Sequence, residues 1–391
     1  MKKFYKALFL CVLCLAFASC AQDETAEVVA SEGSVRLAFR VVDGVQTRAT
    51  EQEDGWTDWN ENLIDRLDLF LFNADGTLYK HIEKKKTDLN VIDNQDDEYT
   101  KLSESGLTYT EVASENYTYY MVANCESLAG FDGTLTKLKE KVTPDLVCNE
   151  KQSSFVMDDR IDKEDKDYQD HLIVDESNKI ATLTFDLSRA AAKIRVSVSN
   201  ADIDDCTFSL YNYVNNTFVL DKEDRVYNTE QCLSAIDMES VQKNGNQVVF
   251  YSYPNDWFDE SKVENEMKEE NGQMVETGKY IITDFVKEDP IVPDRQTYIL
   301  LRAPYKGTDY YYKVPVNFST YTNNDKVSFK DTELEEIRSL FRIDRNSIYD
   351  ITVTIDREGG PISSPVTPTF YVRINDWNPG GDYNIGAGEF E

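Results

Sequence analysis

Short segments in which apolar and polar residues alternate recur along the whole chain, and this pattern restricts the fold more than any other feature. The first such segment covers residues 34–42, and others follow at residues 67–72, 181–187, 192–198 and 347–355. A period of two puts alternate side chains on opposite faces of a strand, so each segment offers one face to a core. Helical periodicity is limited to residues 135–141 and 331–340. The sequence therefore predicts an all-β protein made of β-sandwiches.

The chain of 391 residues is longer than a single hydrophobic core usually organises, which favours two domains. One series of strands ends near Ser188 and a second begins after Arg189, so we predict sandwiches over residues 49–188 and 189–357. Residues 67–79 predict a β-hairpin around the turn signal at 73–76. Charged residues are dense in 157–170 and 259–271, and we predict solvated loops there.

The N-terminus carries an export signal. Lys2, Lys3 and Lys6 precede an apolar run over residues 7–18 that is too short to span a membrane stably. Residues 17–20 then read Phe-Ala-Ser-Cys, a bacterial lipobox in which Cys20 is acylated after cleavage. Residues 1–20 are therefore predicted to be a lipoprotein signal peptide. We expect a precursor held on the outer membrane by lipid such as palmitate.

The net charge of −31 restricts the partners, because such an acidic surface repels nucleic acid and anionic membranes. Proteins, glycans or cations remain as possible partners. Export also makes disulfides possible, and chain order pairs Cys125 with Cys148 and Cys206 with Cys232. Their scattered spacing is not that of a zinc site.

Catalytic motifs are missing from the sequence, and we predict neither enzymatic activity nor a cofactor. The only histidines are His81 and His171, which we expect at the surface, so a histidine-based triad or metal site is hard to build. No nucleophile elbow or phosphate-binding glycine loop occurs. Residues 158–165 contain enough acids to hold Ca²⁺ but lack the glycine and terminal glutamate of an EF-hand, so a solvated loop is the better interpretation.

Several segments together resemble the Bacteroidales fimbrillins, also called type V pilins. These are the lipobox at Cys20, the early strand at 34–42 followed by Thr47-Arg48-Ala49-Thr50, the strand pair at 67–79, Tyr-Met-Val-Ala-Asn at 120–124, the junction at 187–194, the strand opening at 345–349 and the C-terminal Phe-Tyr-Val-Arg-Ile-Asn-Asp-Trp at 370–377. The resemblance implies two tandem transthyretin-like β-sandwiches with a C-terminal donor-strand appendage.

The resemblance also implies how the subunit matures and assembles. An arginine-specific protease would cut after Arg48, leave Ala49 as the first residue, and remove a propeptide at 21–48 that contains the displaced strand. The opened sheet would then accept a strand from another subunit. Our predicted donor lies in the tail at 358–391, where Phe370, Val372 and Ile374 alternate on one face. We expect the Gly/Pro/Ser spacer before them to be a flexible tether, so that the tail is not confined to its own sheet.

The resulting hypothesis is a shaft subunit of an adhesive surface fimbria that polymerises with itself and with anchor and tip proteins, and that contacts host or bacterial receptors. Within the family, an anchor subunit would stay lipidated and uncleaved, and a tip subunit would need a further binding domain. From another class, a surface glycan-binding lipoprotein would present aromatic side chains to sugars, with Trp56 and Trp257 as candidates.

Overall fold

The structure is a computed structural model, and it describes most of the chain between residues 34 and 377. The described ranges are 34–41, 61, 63–85, 91–92, 99–102, 104–114, 117–149, 154–200, 202–203, 205–221, 233–238, 243–258, 263–282, 295–317, 328–330, 334–339 and 341–377. Strands account for most of these residues, and the helices are short. The all-β prediction is therefore confirmed.

The first part of the chain forms one sheet whose strands follow the order β3-β2-β6-β7-β9-β1-β5-β4, with β8 also paired to β9. Burial along β9 alternates strictly, which gives the single buried face that the sequence pattern predicts. The strands are β1 (Val35–Val41), β2 (Arg66–Phe72), β3 (Leu78–Lys85), β4 (Val91–Ile92), β5 (Thr100–Leu102), β6 (Thr118–Ala123), β7 (Met157–Ile161), β8 (Leu172–Asp175) and β9 (Ile180–Arg189).

The β2–β3 hairpin confirms the prediction over residues 67–79. Its turn begins at Asn73, whose carbonyl accepts the Gly76 N–H at 2.8 Å. Gly76 has a φ of +79°, a conformation that side-chain-bearing residues rarely adopt. The Asp75 carboxylate accepts both the N–H and the hydroxyl of Thr77, which closes the turn.

The second part of the chain forms a five-stranded sheet in the order β13-β14-β10-β22-β23 and a four-stranded sheet in the order β12-β11-β18-β19. Two small sheets, β15-β21 and β16-β17-β20, complete it. The strands are β10 (Ala192–Val198), β11 (Thr207–Val214), β12 (Leu233–Ala235), β13 (Lys243–Asn244), β14 (Gln247–Ser252), β15 (Asn255–Asp256), β16 (Val263–Glu270), β17 (Gln273–Ile282), β18 (Tyr298–Tyr305), β19 (Thr308–Pro315), β20 (Ser328–Phe329), β21 (Arg342–Ile343), β22 (Ser347–Thr354) and β23 (Thr369–Asp376).

Two hydrophobic cores divide the described residues. The first, the N-terminal core, collects the apolar side chains of β1, β2, β6, β7 and β9 together with Trp377. The second, the C-terminal core, lies between the five-stranded and four-stranded sheets. Core membership changes between Ala191 and Ala192, in the short link between β9 and β10. Each core is covered by strands that present one apolar face.

Within the described ranges, four short helices lie in connections: α1 (Tyr109–Ser114), α2 (Leu135–Lys139), α3 (Tyr168–His171) and α4 (Leu334–Ser339). Helices α2 and α4 confirm the predicted helical segments. The loops predicted from charge density are partly wrong. Residues 157–161 form the largely buried strand β7, and residues 263–270 form the exposed strand β16. Charge density indicated solvent exposure but carried no information on strand pairing.

Candidate functional site

Strand β1 is an internal strand of the N-terminal sheet, although it comes first in the described chain. Each of its seven residues pairs in parallel with one residue of β9, from Val35 with Ala181 to Val41 with Leu187. On the other side, Leu37 and Phe39 pair antiparallel with β5. Removing β1 would therefore leave two unpaired strand edges facing each other across a slot, which we call the β1 slot.

The inner face of β1 belongs to the N-terminal core. Val35, Leu37, Phe39 and Val41 are all buried, with Phe39 only 4% exposed. Each such side chain contributes about 1.5–3 kcal/mol through burial, so the four together contribute on the order of 6–12 kcal/mol. The β1 slot is consequently both a row of backbone hydrogen-bonding groups and an apolar groove.

The outer face of β1 carries an ion pair with β9. Arg40 donates from Nε to Asp186 Oδ1 at 2.7 Å and from Nη2 to Oδ2 at 2.8 Å, a bidentate pair between register partners. The hydrogen bonds to Asp186 raise the pKa of Arg40, and its guanidinium lies 4.7 Å from the centre of the Tyr99 ring. Arg40 therefore fixes the register between β1 and β9 as well as the charge on the outer face.

A second carboxylate lies directly beside this pair. The Asp186 N–H donates to Asp159 Oδ2 at 2.6 Å, and burial raises the pKa of Asp159 to about 7. His171 donates from Nδ1 to the Thr184 carbonyl at 2.9 Å, and its pKa is raised by that bond and by the nearby acids against an opposing effect of burial. Loss of Arg40 would leave a locally acidic surface at this point of β9.

The C-terminal part of the chain contains a second Arg–Asp pair between parallel strands. Its first strand, β10, pairs in parallel with β22, and Arg195 lies opposite Asp350 in that register. The Arg195 guanidinium donates to both carboxylate oxygens of Asp350. Both parts of the chain thus join their first strand to a late strand in parallel and fix the register with an Arg–Asp pair.

The predicted donor strand lies in the chain's own sheet. Strand β23 pairs antiparallel with β22 over all eight residues, from Thr369 with Thr354 to Asp376 with Ser347. Phe370, Val372 and Ile374 are half-buried and pack on the C-terminal core. The alternation predicted for these residues is correct, but the expectation that the tail is not confined to its own sheet is wrong for this form. Backbone pairing and the apolar edge of the core hold it there.

The spacer before β23 is also bonded to the domain. Tyr311 and Gly360 exchange backbone hydrogen bonds of 2.9 and 3.1 Å, and Lys313 donates its N–H to the Val366 carbonyl at 3.0 Å. At Gly359 an added Cβ would lie 2.7 Å from Tyr310 Cβ, so a larger residue does not fit. The predicted free tether is wrong for this segment, because the glycines serve close packing against β19.

Trp377, directly after β23, is the anchor of the tail and is only 2% exposed. Its ring is stacked with Tyr251 at a centroid distance of 6.1 Å and contacts Phe155 edge-on at 5.4 Å. The guanidinium of Arg189 lies 4.5 Å and the ammonium of Lys193 5.9 Å from the ring centre.

We call the residues around the Trp377 ring, namely Phe155, Arg189, Lys193 and Tyr251, the Trp377 socket. Glu61, from the first part of the chain, bonds to three of them. Lys193 Nζ lies 3.1 Å from Glu61 Oε2, and the Tyr251 hydroxyl donates to Glu61 Oε1. Arg189 also donates to the Glu61 carbonyl at 3.3 Å. The socket therefore ties the beginning of the N-terminal domain to the end of β23.

The predicted Cys125–Cys148 disulfide is absent. Both residues are buried free thiols, and they belong to different cores, so neither sulfur faces the other. Burial raises the pKa of Cys148 to about 11. Cys206 is likewise a buried free thiol, and its predicted partner Cys232 lies outside the described residues. Chain order was a poor guide because the chain crosses between the cores after residue 146.

The remaining sequence candidates are buried rather than exposed. His81 is stacked on Phe70 at 4.2 Å and contacts Asp68 at 2.8 Å, so its predicted surface position is wrong. His171 is half-buried. Asp158, in the segment considered for Ca²⁺, is buried against Arg345, and burial raises its pKa. Trp257 is 5% exposed, which removes it from the stacking surface that a glycan-binding protein would need.

One described cluster has the donor atoms of a metal site. Ligand atoms of Asp68, His81 and Glu83 lie within 4.8 Å of one another. Arg66 already pairs with Asp68 at 2.6 Å and with Glu83 at 3.1 Å. A cation of the protein itself thus already pairs with both acids, and the cluster is a partly buried ion-pair network.

Several predicted positions lie outside the described residues: Cys20, Arg48, Ala49, Trp56 and the segment 378–391. Among the helices that are described, none has both the length and the apolar character required to cross a bilayer. Sequence reasoning missed the two Arg–Asp pairs and the Trp377 socket. The only available signal was the repeated placing of Arg or Asp between apolar residues, at Phe39-Arg40-Val41, Ile194-Arg195-Val196 and Phe185-Asp186-Leu187.

Three structures of known proteins are similar to this chain. The tip fimbrial protein Mfa3 from Porphyromonas gingivalis, with a C-terminal truncation, is 11% identical, covers 87% of this chain and 97% of its own, and has a TM-score of 0.48. A fimbrilin (FimA) from the same species is 12% identical over 88% and 97%, with a TM-score of 0.42. A fimbrial assembly protein from Parabacteroides distasonis is 12% identical over 88% and 94%, also with a TM-score of 0.42.

Sequence comparison finds a family match over the N-terminal part of the chain. No curated protein sequence matches the chain. Residues 33–179, from β1 to β8, match the family model of the major fimbrial subunit protein (FimA). Over residues 33–179 the chain is therefore similar to the major fimbrial subunit family, in agreement with the resemblance to the fimbrillins.

Proposed function

We propose that this protein is a shaft subunit of an adhesive fimbria and that subunits join by strand replacement in the β1 slot. The observation that carries the proposal is the position of β1. It is the first described strand, it pairs along its whole length with β9 and over three residues with β5, and it contributes four buried side chains to the N-terminal core. A strand in that position can be removed by one cut in the chain that follows it.

Processing would create the acceptor. The lipidated precursor, held on the outer membrane through Cys20, keeps β1 and is closed. Cleavage after Arg48 by an arginine-specific protease makes Ala49 the new N-terminus and frees residues 20–48, including β1 and the lipid. The β1 slot then exposes unpaired backbone N–H and C=O groups and apolar side chains. Exposing the apolar side chains to water is unfavourable, so the open slot favours binding of another strand.

The occupant we propose is the C-terminal strand of a second copy, residues 367–377, with Phe370, Val372 and Ile374 entering the groove. In the closed form these residues rest at the edge of their own sheet, where they have one neighbouring strand and are half-buried. In the β1 slot they would gain a second neighbouring strand and full burial, which favours exchange. The two cores would then be the two transthyretin-like sandwiches of a fimbrillin.

A covalent lock tests this function. Arg36 and Thr182 are register partners on the outer face of β1 and β9. Neighbouring strands lie about 4.8 Å apart, within the range that a disulfide bridges. In the Arg36→Cys/Thr182→Cys variant the leader stays tethered to the slot after cleavage. We expect normal export and processing but no fibres under oxidising conditions, and fibres again after reduction.

The single variants are the matched controls and should assemble in both conditions. Fibres from the oxidised, locked variant would contradict the proposal. Mass spectrometry of the N-terminus of subunits in purified fibres distinguishes a shaft subunit from an anchor subunit. Ala49 identifies a cleaved shaft subunit, whereas lipid retained on Cys20 with an uncleaved leader identifies an anchor subunit and overturns the shaft assignment.

A further inference from the structure

Asp186 would lose its ion-pair partner when β1 is replaced by another strand. It sits on the outer face of the β1 slot, and its only described ion-pair partner, Arg40, leaves with β1. Asp159 lies directly beside it, bound through the Asp186 N–H. A partly buried carboxylate next to a second one is costly without a cation. An incoming strand that brings a cation to this position is therefore favoured over one that does not, even with His171 nearby.

The C-terminal part of the chain offers a single cation for this purpose. After Arg357 the sequence contains no lysine and only one arginine, Arg373. The last fourteen residues, 378–391, contain three acids and no basic residue. Any C-terminal donor that satisfies Asp186 must do so with Arg373.

The surroundings of Arg373 match those of Arg40. Arg40 lies between the inward-facing Phe39 and Val41, and Arg373 lies between the half-buried Val372 and Ile374. Superposing Arg373 on Arg40 places Phe370 at the position of Leu37. The three apolar residues of the donor then occupy three of the four inner positions of β1. Tyr371 takes the outer position of Ala38, where a larger side chain displaces its neighbours.

Arg373 is not needed where it rests in the closed form. It lies opposite Asp350 in the β22–β23 register, but Asp350 is already held bidentately by Arg195. Among the described residues Arg373 makes no ion pair, and it is exposed. Strand β23 can therefore leave its sheet without taking the ion-pair partner of Asp350 with it.

We propose that Asp186 selects the partner and sets the register in the β1 slot, and that it binds Arg373 from the C-terminal strand of a second copy in place of Arg40. This inference rests on the proposed function and deepens it by naming the contact that the exchange must reproduce. The pair Arg195–Asp350 shows that the same chain uses this contact to fix a second parallel register.

A charge exchange within the precursor tests the inference on the full chain. The Arg40→Asp/Asp186→Arg variant keeps a reversed pair in the closed form, so export, folding and processing should be preserved. The donor then brings Arg373 against an arginine, and we expect fibre yield to fall at least tenfold. Adding Arg373→Asp restores a complementary pair and should restore most of the yield.

Each result decides the inference. Undiminished fibres from the two-site variant, or no recovery on adding Arg373→Asp, would overturn it. The covalent lock separates this failure from failure of the proposed function. If the locked chain cannot polymerise while the two-site variant can, the β1 slot is used but Asp186 does not select the strand. The melting temperature of the two-site precursor, expected within a few degrees of the parent, shows that the closed form folds.

Discussion

Strands β1 and β10 are built alike but are attached to the chain differently. Each is the first strand of its part of the molecule, pairs in parallel with a late strand, and fixes the register with an Arg–Asp pair. Strand β10 follows β9 through the buried residues Ala190 and Ala191, whereas β1 is followed by a long segment, 42–60, that contains Arg48. The Arg–Asp bonding is alike in both strands, so in the proposed assembly the connection to the chain is what makes β1 replaceable.

The largest expected effect comes from removing β1 with no strand to replace it. Compared with a precursor that also lacks residues 367–391, a chain that begins at Ala49 and lacks the same residues should lose on the order of 6–12 kcal/mol of unfolding free energy in its N-terminal part, because the four buried side chains of β1 are gone. Urea denaturation with a fluorescent probe of apolar surface measures the loss. A synthetic peptide of residues 34–42 should restore stability. Unchanged denaturation without the peptide would show that β1 is not an integral strand.

A smaller loss of stability is expected from single substitutions in β1 and β10, and it should differ between the precursor and the mature fibre. Phe39→Ala should destabilise the precursor by about 3–5 kcal/mol, since a large buried side chain leaves a cavity. The same substitution should leave the mature fibre unchanged, because Phe39 is no longer present. Ile194→Ala, the matched change on β10, should cost about 2–5 kcal/mol in both states. Equal sensitivity of the fibre to both substitutions would mean that β1 is retained.

The smallest effect concerns the acid beside the β1 slot. The pKa of Asp159 is raised in the folded protein to about 7. A group with a raised folded pKa supports stability fully below its unfolded pKa, and that contribution is lost as the pH rises through the folded value. Precursor stability should therefore fall between about pH 4 and pH 7 more steeply than in Asp159→Asn. Parallel melting curves of the two proteins would refute the assignment.

The sequence was sufficient for the features that depend on local pattern. The alternation in residues 34–42 and the turn at residues 73–76 identified β1 and the β2–β3 hairpin, because strand faces and tight turns have local signatures. The site itself depends on contacts between distant residues. Arg40 and Asp186 are 146 positions apart, and a parallel register is set only after the fold has formed.

Charge was the most misleading local signal. Asp158 was expected in solvent but is paired with Arg345. His81 was expected at the surface but is bonded to Asp68 and stacked on the ring of Phe70. In both cases the compensating partner comes from another strand or from a remote part of the chain. The pairing of Phe370, Val372 and Ile374 with their own sheet was not predicted either. An amphipathic strand fits the edge of its own sheet as well as a neighbour's groove, so the local pattern cannot distinguish the two.

The central claim is that in the fibre the β1 slot of one subunit holds the C-terminal strand of another, in the register set by Asp186. That register places Thr369 of the donor opposite Thr182 of the acceptor. Fibres of the Thr182→Cys/Thr369→Cys variant, separated without reductant, should therefore give a ladder of covalent multimers that collapses to monomer on reduction. Fibres that contain only uncrosslinked subunits, with each single variant assembling normally, would contradict the claim.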